Sequence, residues 1–219
     1  MLACSELDAR RVASPAYVID LDALERNLRL LAHVQEASGC TILLALKGFA
    51  AWSTFPVVGK YLDGVAASGP DEARLGAEEL GKQVHTYCPA FDEPSLRETI
   101  RYSDHVVFNS PSQIDRFRAI IDEHTPGTSF GLRINPEHSE VDVALYDPCA
   151  IGSRLGTTHG ALTQADFRGI DGLHFHTLCE LGADALQRTL AVIEDRFDPW
   201  LDRAKWVNFG GGHHITKPG

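Results

Sequence analysis

The stretch Thr41-Ile-Leu-Leu-Ala-Leu-Lys47-Gly48 decides the reading of this chain, because a mostly apolar run ends on an amine followed by a glycine. A short apolar run of this kind between glycine-marked connections reads as a strand buried in a parallel sheet. Lys47 would then emerge at the C-terminal end of its strand, where βα-barrel enzymes keep their reacting groups. An amine there, partly desolvated by the strand, suits a nucleophile that forms an imine. The plainer alternative is a lysine that only solvates a strand end.

Working outward, short β-rich runs alternate with amphipathic stretches. Strands are expected at 17–20, 41–46, 64–67, 84–88, 105–108, 130–134, 172–176 and 206–209. Residues 22–37 carry Leu24, Leu28, Leu31 and Val34 at helical spacing, and 71–80, 94–101, 111–123 and 183–201 read as helices in the same way. Gly39, Gly127, Gly131 and Gly210–Gly212 punctuate the connections. Such alternation is the signature of βα units around a parallel sheet, either a barrel or a doubly wound open sheet. With the early 17–20 segment set aside, seven strands remain against a barrel's eight, and 219 residues fall short of the roughly 250 of a closed barrel. The chain reads as one domain, 1–219, that stops early.

The composition, 44% hydrophobic and 23% charged with a net charge of −10, is that of a globular protein and offers no basic surface to nucleic acid or to an anionic membrane. The residues before Tyr17 contain no apolar leader, and no segment is long enough to span a membrane, so a cytoplasmic protein is expected. Five dispersed cysteines without a CxxC pair read as reduced thiols. The partner is expected to be a small molecule.

Three further features could carry chemistry. Trp206-Val-Asn-Phe-Gly-Gly-Gly-His-His runs a strand into Gly210, Gly211 and Gly212, whose N–H groups could turn toward a phosphate, or which could form a pliant connection. In Gly172-Leu-His-Phe-His-Thr-Leu-Cys-Glu, His174 and His176 share one strand face. They could ligate zinc, with His213 and His214 as conceivable further ligands, stack on a cofactor ring, or be structural. Arg133, within Gly-Leu-Arg-Ile-Asn-Pro, is a charge in an apolar strand and calls for an anion, from a cofactor or from a structural carboxylate.

Together these elements resemble the fold-type III pyridoxal-phosphate (PLP) enzymes, the group of alanine racemase, ornithine decarboxylase and diaminopimelate decarboxylase. More narrowly, Leu44-Ala-Leu-Lys-Gly-Phe, Ala66-Ala-Ser-Gly-Pro-Asp-Glu-Ala-Arg-Leu-Gly, Asn109-Ser, Leu132-Arg-Ile-Asn-Pro-Glu-His, Tyr146-Asp-Pro-Cys, Gly152-Ser-Arg-Leu-Gly, His174-Phe-His-Thr-Leu-Cys-Glu and Asn208-Phe-Gly-Gly-Gly-His are similar to the carboxynorspermidine decarboxylase family, along essentially the whole chain. The resemblance implies a (β/α)8 barrel, a carboxy-lyase of polyamine biosynthesis, and a small polyamine carboxylate as substrate. It implies that Lys47 holds PLP as a Schiff base, His176 stacks on its ring, Gly210, Gly211 and Gly212 bind its phosphate, and Arg133 faces the cofactor. Cys179 and Glu180 would lie toward the substrate, and His174 behind the site. It also implies a homodimer whose second subunit completes the site through a C-terminal β-domain. The family's Glu-Pro-Gly strand and that β-domain have no counterpart in these residues, so weak PLP binding and little turnover are expected of this chain alone. A metal-dependent barrel hydrolase and a non-catalytic PLP-binding protein are the rival readings.

Overall fold

The computed structural model describes residues 8–124, 127–162 and 167–213. Its strands are β1 Leu43–Ala45, β2 Gly64–Ala67, β3 Gln83–Tyr87, β4 His105–Phe108, β5 Ser129–Asn135, β6 Thr157–Thr158, β7 Gly172–His174 and β8 Trp206–Asn208. They pair in parallel in the order β1-β2-β3-β4-β5-β7-β8, with β6 joined to the end of β5 beside this path. Among the described residues β1 and β8 are the two flanks and do not pair with each other. Between the strands run α1 Leu21–Ser38, α2 Phe55–Val58, α3 Pro70–Leu75, α4 Glu93–Tyr102, α5 Pro111–Arg116, α6 Arg118–His124, α7 His159–Leu162 and α8 Ala183–Leu201.

Local chemistry sets the boundaries. Asp20 caps α1 by accepting from the Ala23 N–H at 2.9 Å, and Gly39 closes it in the left-handed conformation. Asp92 and Ser95 form a reciprocal capping box at the start of α4. Ser110 accepts from the Gln113 N–H at the start of α5.

The register divides every strand into two faces. One face is apolar: Val106, Phe108, Phe130, Leu132, Leu173 and Phe175 pack with Ile193 and Phe197 of α8 in the larger core. Leu46, Val65, Ala67 and Val84 form a second core toward β1. Each buried aromatic or branched side chain there contributes about 1.5–3 kcal/mol. The other face is polar, and the pairing sets its residues in rows: Ala45, Ala66, His85, His105 and Ser129 in one, and Arg133, His174 and Asn208 in another.

Contacts across this polar face show that the sheet is rolled. A flat sheet would hold β3 and β8, four strand spacings apart, at about 19 Å. Yet the Trp206 ring of β8 lies 5.9 Å from the His85 ring of β3, and His174 of β7 lies 5.3 Å from Tyr87 of β3. The polar face is therefore the lumen of a barrel with an open flank, which decides between barrel and open sheet. Trp206 fills the lower lumen: a Cβ on Gly172 would stand 2.0 Å from its ring and one on Gly131 2.4 Å. Its indole N–H donates to Ser129 Oγ at 2.8 Å.

Several sequence expectations are corrected. Residues 17–20 form no strand; Tyr17, Val18 and Ile19 are exposed and pair with no strand among the described residues, and Asp20 serves the helix instead. The 71–80 helix passes at Gly76 into a π-helical turn, Gly76–Leu80. The 111–123 helix breaks at Phe117, whose buried ring packs near Phe108, so tertiary packing overrides the helical run. Val34 is exposed, off the face on which Leu24, Leu28 and Leu31 pack. Gly131 lies inside β5 rather than in a connection. Cys40, Cys88, Cys149 and Cys179 are free thiols, and Cys4 lies outside the described residues.

Candidate functional site

The lumen face leads upward to the C-terminal strand ends, where the expected site residues collect. Lys47 follows β1 in a turn and continues the parity of Leu43 and Ala45. It is exposed, so the partial desolvation expected from its apolar strand is absent: Leu46 turns into the core while Lys47 stands beyond the ladder. Among the described residues its amine has no hydrogen-bond or ion-pair partner.

Arg133, near the end of β5, is only 5% exposed. Its guanidinium lies 4.8 Å from the centre of the Tyr87 ring and donates from Nη2 to the carbonyl of His176 at 3.1 Å. No carboxylate pairs with it among the described residues, and its Nε is buried without a partner. The structural-carboxylate alternative therefore finds no support, and the charge is left to a ring, a carbonyl and whatever anion enters the lumen.

β7 ends at His174, and His176 lies just beyond the strand in which it was expected. His174 is buried, with Nδ1 3.2 Å from Asn208 Oδ1. Burial first, then Arg133 and His176, push its pKa down to about 3. His176 is half-buried and is pushed down to about 4 by burial, with Lys47 and Arg133 adding charge repulsion. Both rings are neutral near pH 7.

The glycine loop packs directly on this strand end. Gly210 and Gly212 have φ of +70° and +91°, and a Cβ would fall 2.5 Å from Phe175 O at Gly210 and 2.0 Å from Leu178 O at Gly212. The expectation that successive N–H groups all face an anion is modified. The Gly210 N–H donates to Asn208 Oδ1 at 2.8 Å, and the Gly211 N–H to His176 Nδ1 at 3.2 Å. Cys179 and Glu180 are exposed beside this loop, where Leu181 bridges His213 and its N–H donates to Gly212 O.

Asn109, Tyr87 and Asn208 were given no role from sequence. Asn109 Oδ1 accepts from the Tyr87 hydroxyl and the Gly156 N–H, each at 2.8 Å, and its Nδ2 donates to the Arg154 carbonyl at 2.8 Å. It thereby ties the segment after β5 to the site. The signal available was a buried-strand position ending in an amide side chain. No group of three or more His, Cys, Asp or Glu side chains is placed to hold a metal among the described residues, and His214 lies outside them.

A partly open parallel barrel with a lysine, a buried arginine, two histidines and a glycine loop toward its C-terminal end is the fold found in solved PLP-dependent decarboxylases. A solved lysine decarboxylase from Selenomonas ruminantium shares the fold at a TM-score of 0.73 and 21% identity, over 94% of this chain and 55% of that one. A further fold match, at TM-score 0.68 and 19% identity over 94% of this chain and 54% of the other, was solved in complex with PLP.

In sequence the chain is similar to the carboxynorspermidine/carboxyspermidine decarboxylases. It is 46% identical over 209 residues to the Campylobacter jejuni protein of that name, 95% of this chain and 54% of the relative. The crystal structure of carboxynorspermidine decarboxylase complexed with norspermidine, from the same organism, superposes with a TM-score of 0.84 at 44% identity, covering 95% of this chain and 53% of that one. A carboxyaminopropylagmatine decarboxylase from Synechocystis is 41% identical over 206 residues, 94% of this chain and 53% of the relative. The chain spans about half the length of the curated relatives it matches. No family model matches it.

Proposed function

We propose that this chain is the cofactor-binding barrel portion of a PLP-dependent decarboxylase that converts carboxynorspermidine or carboxyspermidine to the corresponding polyamine. The observation that carries the reading is the cluster at one barrel end in which Arg133 donates to the His176 carbonyl, the Gly211 N–H donates to His176 Nδ1, and the Lys47 charge acts on the same ring. One feature supports an anionic cofactor: Arg133 has a buried, unpartnered Nε at the lumen, beside the loop that Gly210 and Gly212 allow to pack closely on the Phe175 and Leu178 carbonyls.

In this reading Lys47, whose amine is exposed and reachable by a carbonyl, is the residue that would hold the cofactor. The neutral ring of His176 would lie against the cofactor ring, and Arg133 would pair with an anionic oxygen. The glycine loop would receive the phosphate through the backbone N–H groups not already bonded within the protein. Glu180, exposed beside the loop, offers a carboxylate to a cationic polyamine, and Cys179 lies next to it. When bound, PLP supplies an electron sink for the bond broken as carbon dioxide leaves. The working enzyme is a cytoplasmic homodimer in which the partner completes the site.

Borohydride reduction of the protein with PLP, followed by peptide mass mapping, tests this reading. A pyridoxyl group confined to Lys47 and absent from Lys47→Ala is the expected outcome. Labelling spread evenly over Lys60, Lys82 and Lys205, or none at all, would refute it.

A further inference from the structure

Two hydrogen bonds at the glycine loop fix more than the loop. A backbone N–H can only donate, so the side-chain atom of Asn208 that faces the Gly210 N–H at 2.8 Å must be the carbonyl oxygen. That same oxygen lies 3.2 Å from His174 Nδ1. Since it can only accept, His174 must carry its proton on Nδ1. By the same logic, the Gly211 N–H donates to His176 Nδ1 at 3.2 Å, so His176 Nδ1 is the bare nitrogen. Its proton sits on Nε2.

We propose that Asn208 is the positioning residue of the site: it anchors the glycine loop through Gly210 and locks His174 in the Nδ1–H form. Gly211 holds His176 in the opposite, Nε2–H form. The two histidines, two residues apart on one face, are thus made unequal by a single loop. His174 is turned to the protein frame, with its proton committed to Asn208. His176 offers a hydrogen-bond donor at Nε2 and no lone pair there, so it meets an acceptor such as a carboxylate or phosphate oxygen and does not act as a base. The surroundings agree. His174 has the Tyr87 ring 5.3 Å away, its neighbouring charge is Arg133, and among the described residues no carboxylate acts on it to favour an imidazolium. The groups that bear on His176 are Lys47, Arg133 and His213, all basic.

The functional weight of this assignment rests on the PLP reading above, but the tautomers can be read without any cofactor. Long-range nitrogen–proton correlation spectra of the unliganded full chain near neutral pH should show His174 protonated at Nδ1 and His176 at Nε2. Asn208→Ala should release His174 into a mixture of forms, and Asn208→Asp, which keeps an acceptor at the same place, should keep Nδ1 protonated. In parallel, PLP affinity should fall about tenfold in Asn208→Ala, the equivalent of one lost hydrogen bond, while the affinity for pyridoxal, which lacks the phosphate, is unchanged. Wild-type His174 protonated at Nε2, or an Asn208→Ala spectrum like that of wild type, would overturn the proposal. If Asn208→Ala does not fold, the wild-type and Asn208→Asp spectra decide it alone. Absence of PLP binding to wild type would sink the cofactor reading while leaving the tautomer pattern to judge Asn208.

Discussion

The guanidinium of Arg133 lies over the ring of Tyr87, 4.8 Å from its centre, across the lumen from β5 to β3. With a ring beneath it, a carbonyl beside it and a bare Nε, it is a buried cation held ready for an anion. Inorganic phosphate or PLP should therefore raise the melting temperature. A ligand at about 100 times its dissociation constant adds about 2.7 kcal/mol of stability. Arg133→Met should abolish that increment, and an equal thermal shift in both proteins would show that the anion binds elsewhere.

Tyr87 has two separable roles. Tyr87→Phe keeps the ring under Arg133 and removes the hydroxyl that donates to Asn109 at 2.8 Å, at a cost of about 1 kcal/mol. Tyr87→Leu removes both and should cost about 1 kcal/mol more from the lost cation–π contact. Urea unfolding midpoints of the two variants check the order.

The glycines of the loop are not equivalent. Gly210→Ala and Gly212→Ala demand both a positive φ and a Cβ inside contact distance of backbone, and should each cost about 2 kcal/mol or more and weaken PLP binding. Gly211→Ala meets nothing nearer than 3.7 Å, His176 Cε1, and should be tolerated. Equal effects at all three positions would mean that the loop does not hold the described shape.

Much of this was legible in the sequence, because the strands alternate so regularly. β2 and β4 fall on the expected residues, and Arg133 and His174 pair in register on the lumen face. What could not be read depends on neighbours distant in the chain. Residues 17–19 have β propensity but no strand among the described residues to pair with, and Phe117 breaks a helix to reach Phe108. Asn208 and Asn109 matter through bonds to residues 34 and 47 positions away, which no local pattern records.

Gly172 and Trp206 should be energetically coupled. Gly172→Ala places a methyl 2.0 Å from the indole and should destabilise by about 1–3 kcal/mol. Trp206→Ala loses packing and the hydrogen bond to Ser129. Because the second change removes the obstacle to the first, the double variant should be more stable than the sum predicts, by about 1 kcal/mol or more. Additivity would show that the indole does not sit on Gly172.

Stability should fall with acid through the lumen histidines. His85 is pushed down to about 3 by burial and by His105, whose ring stacks on it at 3.8 Å; His174 lies at about 3 and His176 at about 4. Each ring binds its proton more weakly folded than unfolded, so stability is full above about pH 6.5 and declines toward pH 3, by up to about 1.4 kcal/mol per pH unit for each group. His85→Phe should flatten this slope in pH-dependent unfolding, and an unchanged slope would remove His85 from the account.

The separation of the two sheet faces also acts as a proofreading device. A one-residue slip of β5 would carry Arg133 into the place of Leu132 or Ile134, among phenylalanines, and turn those side chains toward the lumen. Any misregistered chain would thus bury a naked cation and uncover its own core at once. The face that performs the chemistry and the face that performs the folding cannot be exchanged without both failing, so correct alignment of the reacting groups is checked by the same event that makes the protein solid.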